Sequence, residues 1–240
     1  MNQTSVFQRS FFIALIFLLT GCAATQATPS FTPPYRPTPD LTFTATPTFP
    51  IPEGSILFEI TPTKKIAGHV YGQGETAIIL ANMSYGGELQ WDPVVQVLDK
   101  KKFTIITFNY LKPDYIDATQ DVSIILGRLR KTGYKRVVCI GASLGVTACG
   151  SIALESEVVG VVMIAGPNYG QPVKTSYPKL FIAADDDPWS RDTETAYKGS
   201  SEPKQLVLYK DTGVHGTELF YSTYKDQFLQ TLVDFVNSLP

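Results

Sequence analysis

Residues 141–145, Gly-Ala-Ser-Leu-Gly, have the Gly-x-Ser-x-Gly spacing that places a serine nucleophile on a sharp turn between a strand and a helix. Such a turn has room only for small residues two positions before and after the serine, and Gly141 and Gly145 meet that requirement. The apolar, β-branched run before the motif predicts a buried strand, and the residues from Leu144 onward predict a helix. This context favours Ser143 as a nucleophile over a tight turn that happens to contain a serine.

A serine nucleophile needs a base, and the chain has only two histidines. His69 lies in an alternating run near the start of the folded part, where a structural role is expected. His215 lies between the last predicted strand and the last predicted helix, in a loop that also holds Gly213 and Gly216. Because ligands of parallel sheets bind beyond the carboxyl ends of the strands, we predict that His215 is the base.

Three acids, Asp185, Asp186 and Asp187, directly follow the apolar run over residues 180–184. One carboxylate at that strand end could orient the imidazole of His215 and stabilise its protonated form. The residue types alone leave the choice among the three open, since an acidic stretch is also typical of a solvated turn. The order serine, aspartate, histidine along the chain is the order of one particular fold.

Strand and helix patterns alternate through residues 55–240, and the first two strand patterns, 55–60 and 65–71, predict a hairpin. Apolar runs predict six further strands, at 76–82, 103–110, 136–141, 158–166, 179–185 and 205–210. Helical spacing is present at 91–102, 118–132, from 144 onward and at 222–239. The alternation predicts an α/β fold, with a mainly parallel sheet covered by helices on both faces.

The serine motif, the acid after residues 180–184 and the segment around His215 together resemble the α/β-hydrolase superfamily over about residues 70–240. Three motifs in the correct order are much more specific than any one of them. The resemblance implies a compact α/β-hydrolase domain with Ser143 as the nucleophile and His215 as the general base.

The acid of this superfamily often ends a Gly-x-x-Asp pattern and is followed by a proline. In this chain Ala184 takes the place of the glycine, and Pro188 follows Asp187. The resemblance therefore favours Asp187 as the acid, with Asp186 as the runner-up.

The oxyanion of an acyl-transfer intermediate needs backbone N–H donors. The N–H of Leu144, at the start of the predicted helix, is one candidate. The second should come from the loop after the strand at 76–82. Many superfamily members have His-Gly in that loop, whereas this chain has Asn82, Met83 and Ser84, so either Met83 or Ser84 could donate.

Only about twelve residues separate the strand at 158–166 from the strand at 179–185, which leaves no room for a lid domain. We therefore expect an open site. Five aromatic residues lie near predicted strand ends and could line it, although a residue at such a position more often belongs to the core or the rim: Tyr85, Trp91, Tyr110, Tyr169 and Trp189.

The first residues are typical of a secretory signal peptide: Arg9 is followed by an apolar run too short to span a bilayer. Residues 19–22, Leu-Thr-Gly-Cys, resemble a bacterial lipobox, which implies cleavage before Cys22 and lipid on that residue. Half of residues 23–54 are Pro or Thr, which disfavours helix and sheet. We predict a signal peptide over 1–21, a lipidated tether over 22–54 and the α/β-hydrolase domain over 55–240.

Two cysteines lie in the folded part, Cys139 and Cys149. An extracytoplasmic location would permit them to pair, but we expect buried free thiols. No Cys/His cluster has the spacing of metal ligands, and we expect neither a metal nor a cofactor.

The chain has 240 residues and a net charge of −2, which argues against a nucleic-acid partner. The hypothesis is a serine hydrolase that cleaves small carboxylic acyl esters and is held by lipid on the extracytoplasmic face of a bacterial membrane. The alternatives are a non-catalytic binding lipoprotein with the same fold, or a peptidase or acyltransferase with the same triad. A two-lobed solute-binding lipoprotein is disfavoured because the domain is too small.

Overall fold

The computed structural model describes residues 51–166 and 170–239, in which eight strands form one sheet flanked by five helices. The strands are β1 (Gly54–Thr61), β2 (Lys64–Tyr71), β3 (Thr76–Ala81), β4 (Phe103–Phe108), β5 (Arg136–Ala142), β6 (Val158–Ile164), β7 (Lys179–Ala184) and β8 (Lys204–Tyr209). The helices are α1 (Asp92–Val97), α2 (Tyr115–Lys131), α3 (Leu144–Ser151), α4 (Ser190–Gly199) and α5 (Lys225–Ser238). Two 3₁₀ turns cover Glu88–Trp91 and Gly216–Tyr221.

The strand order is β1-β2-β4-β3-β5-β6-β7-β8. The pairs β1–β2 and β2–β4 are antiparallel, and every later pair is parallel. This confirms the predicted α/β class with a mainly parallel sheet and the opening hairpin. After β3 the chain forms β4 on one side of β3 and then β5 on the other side. Ligand sites of open α/β sheets form where the strand order changes direction in this way.

The sheet is buried on both faces, which explains the continuous apolar runs of its central strands. All six residues of β4 and all six of β7 are buried. One face packs against α2, α3 and α4, and the other packs against α1 and α5. Burial on both faces fixes the strand ends, and with them the loops that carry the candidate site residues.

Three elements were not predicted, namely α4 and the 3₁₀ turns at Glu88–Trp91 and Gly216–Tyr221. The sequence of α4 is mostly polar, and only two of its ten residues, Thr193 and Ala196, are buried. The second 3₁₀ turn begins at Gly216 with φ of 55°, a conformation that suits glycine. The segment of α4 has only two apolar residues, Ala196 and Tyr197, and the 3₁₀ turns are too short to show the period of 3.6 residues by which longer helices are recognised.

The expectation of free thiols is wrong, because Cys139 and Cys149 form a disulfide with a Cα–Cα distance of 5.5 Å. The bond joins β5 to α3, so it spans the turn that holds Ser143. Cysteines ten residues apart on a strand and on the helix that packs back against it can approach within bonding distance. Both cysteines are fully buried, as expected, but an apolar pattern that predicts burial does not show that the helix brings them together.

The residues described between β6 and β7 form no helix or strand. None of the helices in the described part of the chain is long and apolar enough to span a bilayer. The predicted signal peptide over residues 1–21 and nearly all of the tether over 22–54 lie outside the described residues. Near the end of that tether, Ile51 is buried and the Glu53 carboxylate accepts a hydrogen bond from the N–H of Gly72.

Candidate active site

Ser143 occupies a strained turn between β5 and α3, with φ of 51° and ψ of −114°. Non-glycine residues seldom adopt positive φ, and such strain concentrates at functional sites. A Cβ at Gly141 would lie 2.1 Å from the carbonyl oxygen of Gly145, and one at Gly145 would lie 2.2 Å from that of Ala81. Both distances are far inside van der Waals contact, so the turn requires glycine at both positions.

His215 and Asp187 form a hydrogen bond of 2.8 Å between imidazole Nδ1 and carboxylate Oδ2. The Asp187 side chain is fully buried, and that of His215 is 18% exposed. The second oxygen of Asp187, Oδ1, accepts a hydrogen bond of 2.7 Å from the N–H of Trp189. The N–H of Trp189 therefore fixes one oxygen of the carboxylate, and the other oxygen orients the imidazole of His215.

The two neighbouring acids point elsewhere. Asp186 is exposed, and its N–H donates to the carbonyl of Thr212. The carboxylate of Asp185 lies 3.6 Å from Nζ of Lys210. Of the three consecutive aspartates, Asp187 is the one whose side chain contacts His215.

The His215 backbone is fixed by Glu218, which lies in the 3₁₀ turn after β8. The N–H of His215 donates to Glu218 Oε2 at 3.0 Å, and the N–H of Glu218 donates to the carbonyl of His215 at 3.0 Å. The other carboxylate oxygen of Glu218 accepts a hydrogen bond of 3.0 Å from the hydroxyl of Tyr85. Glu218 thus connects the histidine loop to the loop after β3.

Ser143 and His215 line one cleft of about 360 Å³. Its other lining residues are Ser84, Tyr85, Pro113, Asp114, Tyr115, Leu144 and Trp189. Ser143 Oγ and His215 Nε2 do not form a hydrogen bond in this structure, so proton transfer requires the two side chains to approach within the cleft. A larger groove of about 500 Å³ lies between β1 and α2, away from these residues, and none of the candidate groups lines it.

Two backbone N–H groups beside the serine have no acceptor among the described residues, those of Leu144 and Ser84. The N–H of Met83, the other candidate, donates to Gln90 Oε1 at 3.2 Å. Asn82 is buried, and its side-chain amide donates to the carbonyl of Phe108. This hydrogen bond ties the loop to β4 at the position where the sequence departs from the superfamily pattern.

Gln90 holds the loop after β3 through both ends of its amide. Its Oε1 accepts hydrogen bonds from the N–H of Met83 and from the hydroxyl of Thr217 at 2.9 Å. Its Nε2 donates to the carbonyls of Tyr85 at 3.1 Å and of Gly87. Because Gln90 is itself buried, these contacts fix the path of the loop that carries the Ser84 N–H.

Three residues that line the cleft or contact its loops were not predicted from the sequence, Asp114, Gln90 and Glu218. Each lies in a short turn or at a helix start, where hydrophobic periodicity gives no signal. Asp114 has one recognisable feature, since its side chain accepts a hydrogen bond from the N–H of Asp117 and caps α2. No comparable pattern marks Gln90.

The five aromatic candidates separate clearly. Tyr85 and Trp189 line the cleft, and Trp91 is fully buried in the core. The Tyr110 hydroxyl donates to the carbonyl of Asn82 at 3.1 Å and supports the loop from below the surface. Tyr169 lies outside the described residues.

His69 is separate from this cleft. Its Nδ1 lies 3.0 Å from Glu88 Oε2, and its Nε2 lies 3.0 Å from Ser55 Oγ. The same carboxylate of Glu88 accepts hydrogen bonds from Thr107 and Asn109. His69 therefore joins the hairpin to the 3₁₀ turn at Glu88–Trp91. No cluster of His, Cys, Asp and Glu that could hold a metal ion occurs among residues 51–166 and 170–239.

Solved structures similar to this chain include an esterase from Exiguobacterium antarcticum, at 13% identity and a TM-score of 0.63, covering 77% of this chain and 100% of that one. Dienelactone hydrolase from Anabaena variabilis is 22% identical, with a TM-score of 0.61 and coverage of 79% and 99%. Bromoperoxidase from Bacillus anthracis is 14% identical, with a TM-score of 0.60 and coverage of 78% and 100%. No protein-family model and no curated protein sequence matches the chain.

These similarities, together with the sheet order, define the class: the chain has the α/β-hydrolase fold. At such low identity they establish the fold and leave the activity to be argued from the site.

Proposed function

We propose that this chain is a serine hydrolase that cleaves small carboxylic esters through an acyl-enzyme. The observation that carries the proposal is the hydrogen bond of 2.8 Å between His215 Nδ1 and the buried Asp187, at a cleft that Ser143 also lines. A buried carboxylate, a partly exposed imidazole and a serine on a strained turn are the three groups that nucleophilic acyl transfer requires.

In the proposed acylation step, Nε2 of His215 accepts the proton of Ser143 as Oγ attacks the ester carbonyl carbon. Asp187 keeps the other proton of the ring on Nδ1, so Nε2 is unprotonated and can accept the serine proton. The protonated imidazole then donates its proton to the departing alkoxide. The alcohol leaves, and the acyl group remains on Ser143.

The negative charge on the carbonyl oxygen is assigned to the N–H groups of Leu144 and Ser84. Each lacks an acceptor among the described residues and borders the serine. A backbone donor of this type contributes about 3 kcal/mol to the transition state. Met83 is the less suitable second donor because its N–H already binds Gln90.

Deacylation repeats the steps with water as the nucleophile. His215 takes a proton from the water, the hydroxide oxygen bonds to the acyl carbon, and the Ser143 Oγ–acyl bond breaks. The proton returns to the serine, and the carboxylic acid is released. The connection between β6 and β7 is too short to hold a lid domain, which suits small esters.

A panel of p-nitrophenyl esters with acyl chains of increasing length tests the proposal. We expect hydrolysis of the short-chain esters by the wild type and none above background by Ser143→Ala. A folded wild type that cleaves none of the esters would support the non-catalytic alternative. Cleavage of peptides, or acyl transfer to alcohols in preference to water, would identify a peptidase or an acyltransferase with the same site.

We further propose that lipid on Cys22 anchors the chain to the extracytoplasmic face of a bacterial membrane, with residues 22–54 as the tether. The support is the lipobox-like sequence over residues 19–22 and the disulfide between Cys139 and Cys149. Disulfides persist in oxidising compartments and are rare in the cytosol.

A further inference from the structure

The cleft beside Ser143 combines aromatic rings with negative charge. Tyr85 follows β3, Tyr115 begins α2 and Trp189 follows β7, so three different segments bring aromatic residues to the cleft that Ser143 lines. Among the lining residues Asp114 has the one carboxylic acid side chain, and no Lys or Arg lines the described cleft.

Asp114 is the N-cap of α2 and is exposed at the edge of the cleft. Its Oδ1 accepts a hydrogen bond of 2.9 Å from the N–H of Asp117. The start of a helix carries a partial positive charge of about half a unit, which offsets only part of the carboxylate charge.

A second carboxylate, Glu218, does not itself line the cleft but contacts two residues that do, Tyr85 and His215. One of its oxygens accepts a hydrogen bond from the hydroxyl of Tyr85, and the other accepts one from the N–H of His215. Burial raises the pKa of Tyr85, and the hydrogen bond and charge of Glu218 and the charge of Asp187 raise it further. The field at this ring is therefore negative.

The basic residues closest in sequence to Asp114 and Trp189 do not neutralise the negative charge in the cleft. Lys112 is 75% exposed, and its Nζ lies 3.9 Å from Asp117 rather than among the lining groups. Arg191 is exposed on α4 and does not line the cleft either.

We propose that the site prefers esters that carry a cationic ammonium group, which the aromatic rings and the carboxylate of Asp114 stabilise, with added attraction from the negative charge of Glu218 next to Tyr85. An aromatic ring attracts an ammonium through its quadrupole, and a nearby carboxylate adds Coulomb attraction, so together they favour the cation over an uncharged isostere about tenfold. Carboxylate-bearing esters would be repelled. This inference rests on the proposed function for its substrate, but the recognition step can be tested without catalysis.

The test compares choline with its uncharged isostere 3,3-dimethylbutanol as ligands of the Ser143→Ala variant, by NMR titration. We expect choline to bind about tenfold more tightly at low ionic strength. We expect that preference to fall at about 0.5 M salt, because salt screens exposed charges. Asp114→Asn in the same background keeps a helix-capping side chain and should reduce the preference about threefold. Asp226→Asn, an exposed aspartate in the first turn of α5, is the matched control and should leave it unchanged.

Equal or weaker binding of choline would overturn the inference, as would a preference that Asp114→Asn does not alter. In the wild type, acetylcholine should have a kcat/KM about tenfold above that of 3,3-dimethylbutyl acetate. If both esters are cleaved equally, the preference is wrong while the hydrolase proposal stands. If choline binds selectively and no ester is cleaved, the proposed hydrolysis is wrong while the cation site stands.

Discussion

Asp187 differs from its two neighbours in burial, although all three have the same side chain. The turn after β7 buries Asp187 against Trp189 and points its free oxygen at His215, whereas Asp186 remains exposed. The chemistry of the proposed site therefore depends on the path of the backbone through residues that the sequence does not distinguish.

At this position we predict that Asp187→Asn lowers kcat for p-nitrophenyl acetate by about 10³–10⁴, since the amide favours the wrong tautomer of His215. Asp186→Asn, the matched control one residue away, should stay within about twofold of wild type because its side chain is in solvent. Steady-state measurement of kcat for both purified variants tests this prediction. Equal losses in the two variants would mean that Asp187 does not orient His215.

Individual residues differ in how far the sequence predicts them. Ser143 and His215 could be named because glycines flank the serine and because histidine is scarce in this chain. The second oxyanion donor could not be chosen, since the choice between Met83 and Ser84 depends on where the Gln90 side chain folds. A side-chain amide that reaches back seven residues leaves no periodic trace in the sequence.

Among the connecting segments, the loop between β3 and α1 receives three of its hydrogen bonds from one buried side chain, Gln90. We predict that Gln90→Ala lowers kcat at least tenfold and changes KM less, because the loop that presents the Ser84 N–H is released. Gln120→Ala, an exposed glutamine on α2, is the control and should change neither constant.

The thermal midpoint of each glutamine variant should be measured alongside its kinetics. A Gln90→Ala protein that remains folded at the assay temperature and retains full kcat would show that the loop does not depend on this side chain. A rise in KM with kcat unchanged would place Gln90 in substrate binding instead.

The end of α2 is joined to the turn before β6 by an ion pair with two hydrogen bonds, from Arg130 Nε and Nη2 to Glu157 Oε1 and Oε2 at 2.7 and 2.8 Å. These bonds from Arg130 lower the pKa of Glu157 to about 2. A carboxylate with a lowered pKa stabilises the fold above its unfolded pKa of about 4.3, and that contribution is lost as pH falls toward 2.

We predict that Glu157→Gln costs about 1 kcal/mol of unfolding free energy at pH 7, because Arg130 remains 45% exposed and solvent screens the pair. The difference from wild type should shrink as the pH is lowered from 5 to about 3. Glu155, 49% exposed and bonded to the same arginine, is the matched comparison, and Glu155→Gln should cost less than about 0.5 kcal/mol. Urea unfolding at several pH values measures both, and a pH-independent loss for Glu157→Gln would contradict the account.

Elements with a strong apolar pattern could be predicted, and weakly patterned ones could not. Continuous apolar runs predict the buried strands β3 to β7. The alternation of apolar and polar residues in β2 and the helical period repeated along α5 were equally recognisable. The helix α4 was missed because it buries only two residues. The sheet order and the register were not predictable, because they are fixed by packing between segments distant in the chain.

For the whole molecule, the disulfide and the proposed lipid anchor both concern the compartment in which the chain folds. We predict that expression in a bacterium with a lipoprotein pathway gives a membrane-bound product that incorporates radiolabelled palmitate. Cys22→Ala should lose the label and leave the membrane fraction. Cys149→Ala is the matched cysteine control, since it removes the disulfide but should keep the label. Labelling of Cys22→Ala to the wild-type level would contradict the anchoring proposal.

The most direct test of the central claim, that Ser143 is an activated nucleophile, is covalent labelling of the folded protein by a fluorophosphonate probe with identification of the modified residue by mass spectrometry. The account predicts labelling of wild type at Ser143 and its loss in Ser143→Ala and in His215→Ala, because the serine requires the imidazole as its base. Folded wild-type protein that resists the probe, or equal labelling of Ser143→Ala, would contradict it.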